Sequence, residues 1–313
     1  MKECRLLSQD ELFGARIFYS IEEALESEEP VYRLDLHFKG LTSFLKEIFE
    51  LKCLQELILI NNQLEEIPPE IESLEYLQKL ELSGNKLIAI PESICKLYNL
   101  STLMLSWNQL KYVPDCIGNL SKLEWLGLNN NELTIIPDSI GNLINLKSLV
   151  LSENQLSKLP DSIGNLLNLS KLRVSGNHLS ALPPSIGNLV NLEKLEAQEN
   201  MIEILPETIG NLVKLEKLRL YKNLLTTLPE SIGNLTRLQK LILYENELYE
   251  LPKSIGNLSN LEDLKLSYNE LENLPDSIKN LLNLDNLDLS RNNFLATEKV
   301  KIQMTLSNTR ILW

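Results

Sequence analysis

The chain has 313 residues, with 30 Lys and Arg against 43 Asp and Glu, a formal net charge of −13 and a pI near 4.8. That balance argues against non-specific attraction to DNA or to an anionic membrane, although a local basic face is compatible with it, so no nucleic-acid partner is expected. No run of about 18 apolar residues occurs, so no membrane insertion is expected either.

The opening segment MKECRLLSQDELFG lacks a basic region followed by an apolar stretch and a small-residue cleavage site. A cytoplasmic location is therefore the expectation, with secretion or surface exposure by a non-classical route as the alternative. Residues 1–30 read as a helical cap. Ser8 with Glu11 and Ser20 with Glu23 have capping-box spacing, and Leu12, Ile17, Ile21, Ala24 and Leu25 offer an apolar face that would cover the bare end of the segment beginning at Val31. The four cysteines, Cys4, Cys53, Cys95 and Cys116, form neither a CxxC pair nor a dense disulfide scaffold. Reduced, buried thiols are the expectation, and a Cys95–Cys116 bridge is conceivable without being derivable from the spacing.

From Val31 onward one unit repeats. It is exemplified by LKSLVLSENQLSKLPDSIGNLLN, Leu146–Asn168, and returns every 23 residues without insertion or deletion. A fixed period of that length means a solenoid of twelve repeats over residues 31–295, read as one elongated domain because each repeat touches only its neighbours. The LxL segment, such as Leu149 and Leu151, alternates with period two and predicts a short strand with leucines inward. Stacked copies make a parallel sheet. The Asn column, from Asn62 to Asn292, satisfies backbone groups where each strand ends and forms a ladder. Leu-Pro pairs such as Leu159-Pro160 then hold the chain extended, with Pro suited to the first helical position. The acidic residue after Pro, as at Asp138 and Glu207, favours the start of a short 3-10 or α turn on the outer side, carrying Ile163 and its equivalents. Gly164-Asn165 and its copies are expected to break that turn. Val174 and Ala197 interrupt one leucine column in consecutive repeats, which reads as ordinary core variation.

The pattern LxxLxLxxNxLxxLPxxIxxLxx resembles the 23-residue leucine-rich repeat. The SIGNLxNL wording is similar to bacterial leucine-rich-repeat families expanded in pathogenic spirochaetes, and also to intracellular Ras-group repeats of plants and animals. The leader SIEEALESEEPVYRLDL favours the spirochaete group. This resemblance implies an α/β leucine-rich-repeat solenoid, shaped as an arc or horseshoe. It places a parallel sheet on the concave face, short turns on the convex face and helical caps at the ends, in a module that binds proteins without chemistry of its own. Lys39 stands where the first Asn would be, as suits an atypical terminal repeat. Beyond Leu295, residues 296–313 read as a C-terminal cap. Thr297 would cap a helix containing Val300, Met304 and Leu306, with Ile311 and Trp313 packing behind it.

Partner binding is sought on the outward strand positions, which form columns about 4.8 Å apart. Ile58, Met104, Trp107, Trp125 and Val150 make an apolar and aromatic cluster in the first half. In the second half Lys171, Lys194, Lys217 and Lys240 form a file, joined by Arg173, Arg219 and Lys265, with Tyr221, Tyr244 and Tyr268 beside them and Glu193, Glu196 and Glu216 partly neutralising it. Exposed Trp favours an interface, whereas the lysines read first as solvated surface residues, although like charges opposed across strands slightly favour an acidic partner over chance. No enzyme is expected. His37 and His178 are six repeats apart, no Ser-His-Asp or Cys-His set can be assembled, and no phosphate loop occurs. Neither a metal nor any other cofactor is expected. The expected partner is a protein and the expected state a monomer, acting as a host-directed recognition protein or, alternatively, as an intracellular scaffold.

Overall fold

The computed structural model describes residues 4–313, which fall into two compact units divided between Asn154 and Gln155. The first holds α1 (Gln9–Gly14), β1 (Ile17–Phe18) and α2 (Ile21–Glu26). Six three-residue strands come after them: β2 (Arg33–Asp35), β3 (Glu56–Ile58), β4 (Lys79–Glu81), β5 (Thr102–Met104), β6 (Trp125–Gly127) and β7 (Ser148–Val150). The second holds β8 (Lys171–Arg173), β9 (Lys194–Glu196), β10 (Lys217–Arg219), β11 (Lys240–Ile242), β12 (Asp263–Lys265) and β13 (Asn286–Asp288). It ends with α3 (Ala296–Thr305) and β14 (Arg310–Leu312). Within each unit the strands pair in chain order, all parallel, and from β2 to β7 and from β8 to β13 the register steps by one repeat, as in Arg33↔Glu56 and Lys194↔Lys217. The middle leucine of each strand, such as Leu57 and Leu218, is fully buried, as period-two alternation requires.

The Asn column fastens each repeat to the one before it. In Asn108 the side-chain Oδ1 accepts from the Leu87 N–H at 3.0 Å, while Nδ2 donates to the carbonyls of Leu82 and Leu105, both at 3.0 Å. Asn223 repeats this with Ile202 N–H at 3.0 Å, Ala197 at 3.1 Å and Leu220 at 2.9 Å. These amides are almost wholly buried, so no water is at hand to replace the bonds. At the first repeat, where Lys39 replaces Asn, the Lys39 and Leu41 N–H groups still donate to Asn62 Oδ1, each at 3.0 Å. The ladder needs an amide only on the following side.

The turns are 3-10 helices of five residues, such as Asp161–Asn165, and their Ile is fully buried. Pro160 sits one position earlier than expected, as the extended cap whose carbonyl accepts from Ile163 N–H at 3.0 Å. A Pro occupies the first helical position only where two are adjacent, at Pro69 and Pro184. The glycines do not break the turn. Gly164 lies inside it, and a Cβ there would sit 2.5 Å from the carbonyl oxygen of Ser185 in the next turn. Its missing side chain is what lets successive turns stack. Val174 and Ala197 are fully buried and their carbonyls keep their ladder bonds from Asn177 and Asn200, at 3.1 and 3.2 Å.

The cysteines correct the expectation of free thiols, since Cys4 is bonded to Cys53 and Cys95 to Cys116. Cys95 is the fourth residue of its turn and Cys116 the second residue of the next. These are the positions of Gly164 and Ser185, where stacked turns come closest. The offset of 21 residues, rather than 23, is what brings the two together.

The caps depart further from expectation. Ser8 forms a full capping box with Glu11, and Ser20 accepts from Glu23 N–H at 3.1 Å. However, Ile17 is in β1, which adds a strand beside β2, and Leu25 is exposed. In the C-terminal cap α3 begins at Ala296, so Thr297 lies in its first turn and caps nothing. Ile302 and Leu306 face inward, while Val300 and Met304 face solvent. Ile311 lies in β14 against β13, and the Trp313 ring meets Phe294 edge-on at 5.8 Å.

Replacing Asn108 with Ala should leave the buried Leu87 N–H without a partner, while the Leu82 and Leu105 carbonyls each keep a second donor from Asn85 and Asn131, and should cost about 1–3 kcal/mol. Urea unfolding followed by circular dichroism checks this, with Asn292→Ala, at the less buried end of the ladder, expected to cost less.

Candidate functional site

On the strand face the outward residues of each repeat fall at fixed columns, because ladder and sheet hold every strand at the same height. In the first unit Met104 and Trp125 lie on adjacent strands and share a cleft of about 450 Å³ with Leu12 and Phe13 of α1, Arg33 and Lys79. Met104 reaches across Gly127, where a Cβ would lie 2.7 Å from its sulfur. The Trp125 ring carries Lys147 Nζ 5.3 Å from its centroid, within cation–π range. Trp107 stands on the loop after β5, 64% exposed, with φ of 57°, a left-handed conformation that costs a bulky residue energy. Ile58 and Val150 are not part of this group. Each is half-buried, two strands from Met104 and outside the lining of the cleft. The structure thus gathers Met104 and Trp125 with α1, and leaves Ile58 and Val150 apart.

The arm just before α1 has almost no signal in the sequence. Residues 5–7 run along the edge of the strand face, where Gln55 Nε2 donates to the Arg5 carbonyl at 2.7 Å and Gln55 Oε1 accepts from Leu7 N–H at 2.9 Å. Gln78 Nε2 donates to the Leu7 carbonyl at 2.8 Å, and Arg33 Nη1 to the Phe13 carbonyl at 2.8 Å. The arm is also tied by Cys4–Cys53. Two glutamines in successive outward positions, Gln55 and Gln78, are the one trace it leaves. Beneath α1, Glu56 pairs with Arg33 and with Lys79 at 3.1 Å, and Lys79 also meets Glu81 at 2.8 Å. Burial pulls the Lys79 ammonium down, but Glu81 and Glu56 outweigh it and hold its pKa above the usual value.

In the second unit the lysine file is real. Lys171, Lys194, Lys217 and Lys240 are direct register partners across four parallel strands. Two residues further along, Arg173 and Arg219 flank Glu196, which is 6% exposed. Glu196 Oε2 lies 2.8 Å from Arg173 Nε, in an ion pair too poorly aligned for a hydrogen bond. Its Oε1 lies 3.6 Å from Arg219 Nη1 and 3.9 Å from Lys217 Nζ. Burial first, then Arg173, lowers the Lys171 pKa, and burial then Arg219 lowers that of Lys217, with Glu196 opposing in both. The file therefore holds its charge at a cost. Tyr221 and Tyr244 stack at 4.4 Å and 10° one column over, whereas Tyr268 lies in the adjacent loop column at φ 55°, exposed and outside the stack. Lys265 sits on β12, beside Ile242.

Neither histidine takes part in such a cluster: His37 Nδ1 lies 2.7 Å from Asp35 Oδ1, and His178 is exposed. At the ends of the turns, away from the strand-face columns, Leu167, Val190 and Val213 form an exposed apolar row.

A coil of short parallel strands and 3-10 turns, with outward side chains in register, defines a repeat scaffold commonly used for protein–protein interaction. The chain belongs to the leucine-rich-repeat family, since the family model for a leucine-rich repeat region matches residues 33–136, 129–224 and 207–312. No curated protein matches it. Among solved structures it is similar to a leucine-rich-repeat protein of Leptospira interrogans, with 29% identity, a TM-score of 0.60 and coverage of 96% of this chain and 100% of that one. It is also similar to the plant peptide hormone receptor RGFR1 in complex with RGF2, with 36% identity, a TM-score of 0.75 and 83% of this chain covered. The Arabidopsis receptor kinase HAESA, in complex with the peptide hormone IDA and the co-receptor SERK1, gives 32%, 0.71 and 86%. The matched region spans only 43% and 51% of those two receptor chains.

Two outcomes are expected of the second unit. Glu196→Ala should cost roughly 2–3 kcal/mol in urea unfolding, below the about 3–5 kcal/mol of a fully buried pair because its cations keep contact with solvent. Burial, and then Tyr221, push the Tyr244 phenol up from 10.0 to about 12. A raised folded-state value means this group's contribution to stability is whole below pH 10 and lost as pH climbs through 12. Alkaline spectrophotometric titration should show one late-ionising phenol that Tyr244→Phe removes.

Proposed function

We propose that the chain is a non-enzymatic recognition module that binds a partner protein through its strand face. The observation that carries this reading is the Met104–Trp125 cleft beside α1, together with Trp107 exposed on the loop after β5. A largely exposed Trp107 and a half-buried Trp125 offer the aromatic surface that interface hot spots are made of. The plant receptors that resemble it are seen with peptide hormones, which supports the same use of a similar scaffold.

Between an exported, host-directed role and an intracellular scaffold, the cysteines favour export. All four are paired, and such bridges persist in oxidising compartments and are rare in the cytosol. The resemblance to a Leptospira protein along its whole length fits a bacterial, spirochaete-type member of the family.

Affinity capture from host fluids and cell lysates, with wild type beside Trp107→Ala/Trp125→Ala, tests the site. A partner retained by the wild type and lost with a folded double variant is the expected result, and capture undiminished by the substitutions rules the aromatic surface out. Alkylation of thiols in freshly isolated protein separates the compartments, since four protected cysteines are expected outside the cytosol and four alkylated ones would favour the scaffold.

A further inference from the structure

The second unit carries a narrower specification. From Lys171 to Lys240 the file spans four strands, about 14 Å at ordinary strand spacing. With Arg173 and Arg219 it brings six cations onto one face, and the acid set among them, Glu196, is buried and already shared by three of them. Among the described residues Lys171, Lys194 and Lys240 have no carboxylate within ion-pair distance. Acids border this lane on both sides instead. Glu193 and Glu216 precede Lys194 and Lys217 in their repeats, the loop column beyond holds Glu199 and Glu245 with Lys222 between them, paired to Glu199 at 3.0 Å, and Asp263 ends the file beside Lys240. The result is a basic strip one or two side chains wide between acidic margins.

Two further features mark the strip as built for a ligand. Gln198 follows Glu196 at the next outward position and is 8% exposed, yet its Oε1 has no hydrogen-bond partner. A buried amide oxygen left empty costs about 1–3 kcal/mol, which a donor from a ligand would recover. One repeat further along the same column the Tyr221–Tyr244 stack begins, offering flat apolar surface next to the cations.

We propose that this lane binds an extended, acidic segment of the partner protein, a run of Asp or Glu side chains meeting the lysine file, with a backbone N–H donated to Gln198 Oε1 and a neighbouring side chain laid on the tyrosine stack. The proposal deepens the strand-face reading and rests on it. The acidic margins favour a single extended chain over a broad polyanion, because a duplex or a long sulfated glycan would overhang Glu193 and Glu216 on one side and Glu199 and Glu245 on the other. An extended peptide also brings N–H groups that a glycan or nucleic-acid backbone lacks in that arrangement.

The test is fluorescence anisotropy of the full chain with a labelled peptide of alternating Glu and Ala, beside the same peptide with Gln for Glu and a sulfated oligosaccharide of equal charge. Binding of the Glu peptide alone is expected, weakened by salt and reduced at least about tenfold in Lys194→Gln/Lys240→Gln. Both lysines are exposed and outside any ion pair among the described residues, so this variant should keep its fold, as thermal unfolding verifies. Lys194→Arg/Lys240→Arg should bind as wild type, and Gln198→Leu should weaken the Glu peptide without altering its salt dependence. Equal binding of the Gln peptide, tighter binding of the oligosaccharide, or full affinity in the Gln variant each overturns the proposal. The two readings fail separately. If acidic peptide is ignored while a captured partner still depends on Trp107 and Trp125, the lane assignment falls and strand-face recognition stands; if a captured partner is indifferent to both pairs of substitutions, both fall.

Discussion

The fold depends on one three-armed amide. Each ladder Asn links its own strand end, by the carbonyl three residues back, to the preceding repeat, by one N–H and one carbonyl 21 and 26 residues back. These three bonds fix where the chain turns and how high it climbs, and nothing else of Asn's size offers two donors and an acceptor in that geometry. A single inserted residue between two Asn positions would pull the amide away from buried partners that no water can replace. That constraint explains a register without slippage from Asn62 to Asn292, and it makes each repeat's stability conditional on its neighbours. The glycines of the turns answer the same demand on the other side, since a ladder that sets the rise also sets how closely successive turns must approach.

What the ladder dictates is what can be read from the sequence. The inward leucines, the buried turn isoleucines and the Asn column recur, so their positions follow from the period, and the strands, their order and their register come with them. The caps lie outside the period and are less legible. Ile17 has the spacing of a helical face, yet the free edge of β2 offers unpaired backbone groups, and pairing with it outweighs helix propensity. Val300 and Met304 suggest an apolar stripe, but Ile302 and Leu306 are the ones the last repeat can cover. The arm at residues 5–7 has only Gln55 and Gln78 to announce it, and both look like ordinary solvated residues until the Arg5 and Leu7 backbone is placed against them. Cys95 and Cys116 are one step from derivable, because a 21-residue offset joins the two closest points of stacked turns, a fact that becomes visible only when the turn is known to be 3-10 with its fourth residue facing the next repeat.

The candidate site is legible to the extent that it is periodic. The lysine file follows directly from the register. The cluster around Trp125 is narrower than its columns suggest, since Ile58 and Val150, each two strands from Met104, do not line the cleft. Tyr268 likewise looks like a companion of Tyr221 and Tyr244, although one residue of displacement moves it from the strand to the loop column. Along a strand a step of one residue reverses the face, and the same step at its end moves a side chain from the sheet to the rim.

The freedom of the outward positions gives the lysine file its weight. Neither ladder nor core constrains the first strand residue, and across the repeats that column holds Arg33, Glu56, Thr102, Trp125, Ser148, Asp263 and Asn286 besides its lysines. Four consecutive lysines are therefore not imposed by the fold. Copying of whole repeats does not explain them either, because the column two residues away has changed at every step, through Arg173, Glu196, Arg219 and Ile242, while the lysine stayed. Like charges in direct register oppose folding, and the single buried Glu196 relieves only part of that strain. An arrangement that the architecture does not require, that repeat duplication does not account for and that costs stability is what the proposed acidic-segment lane would account for.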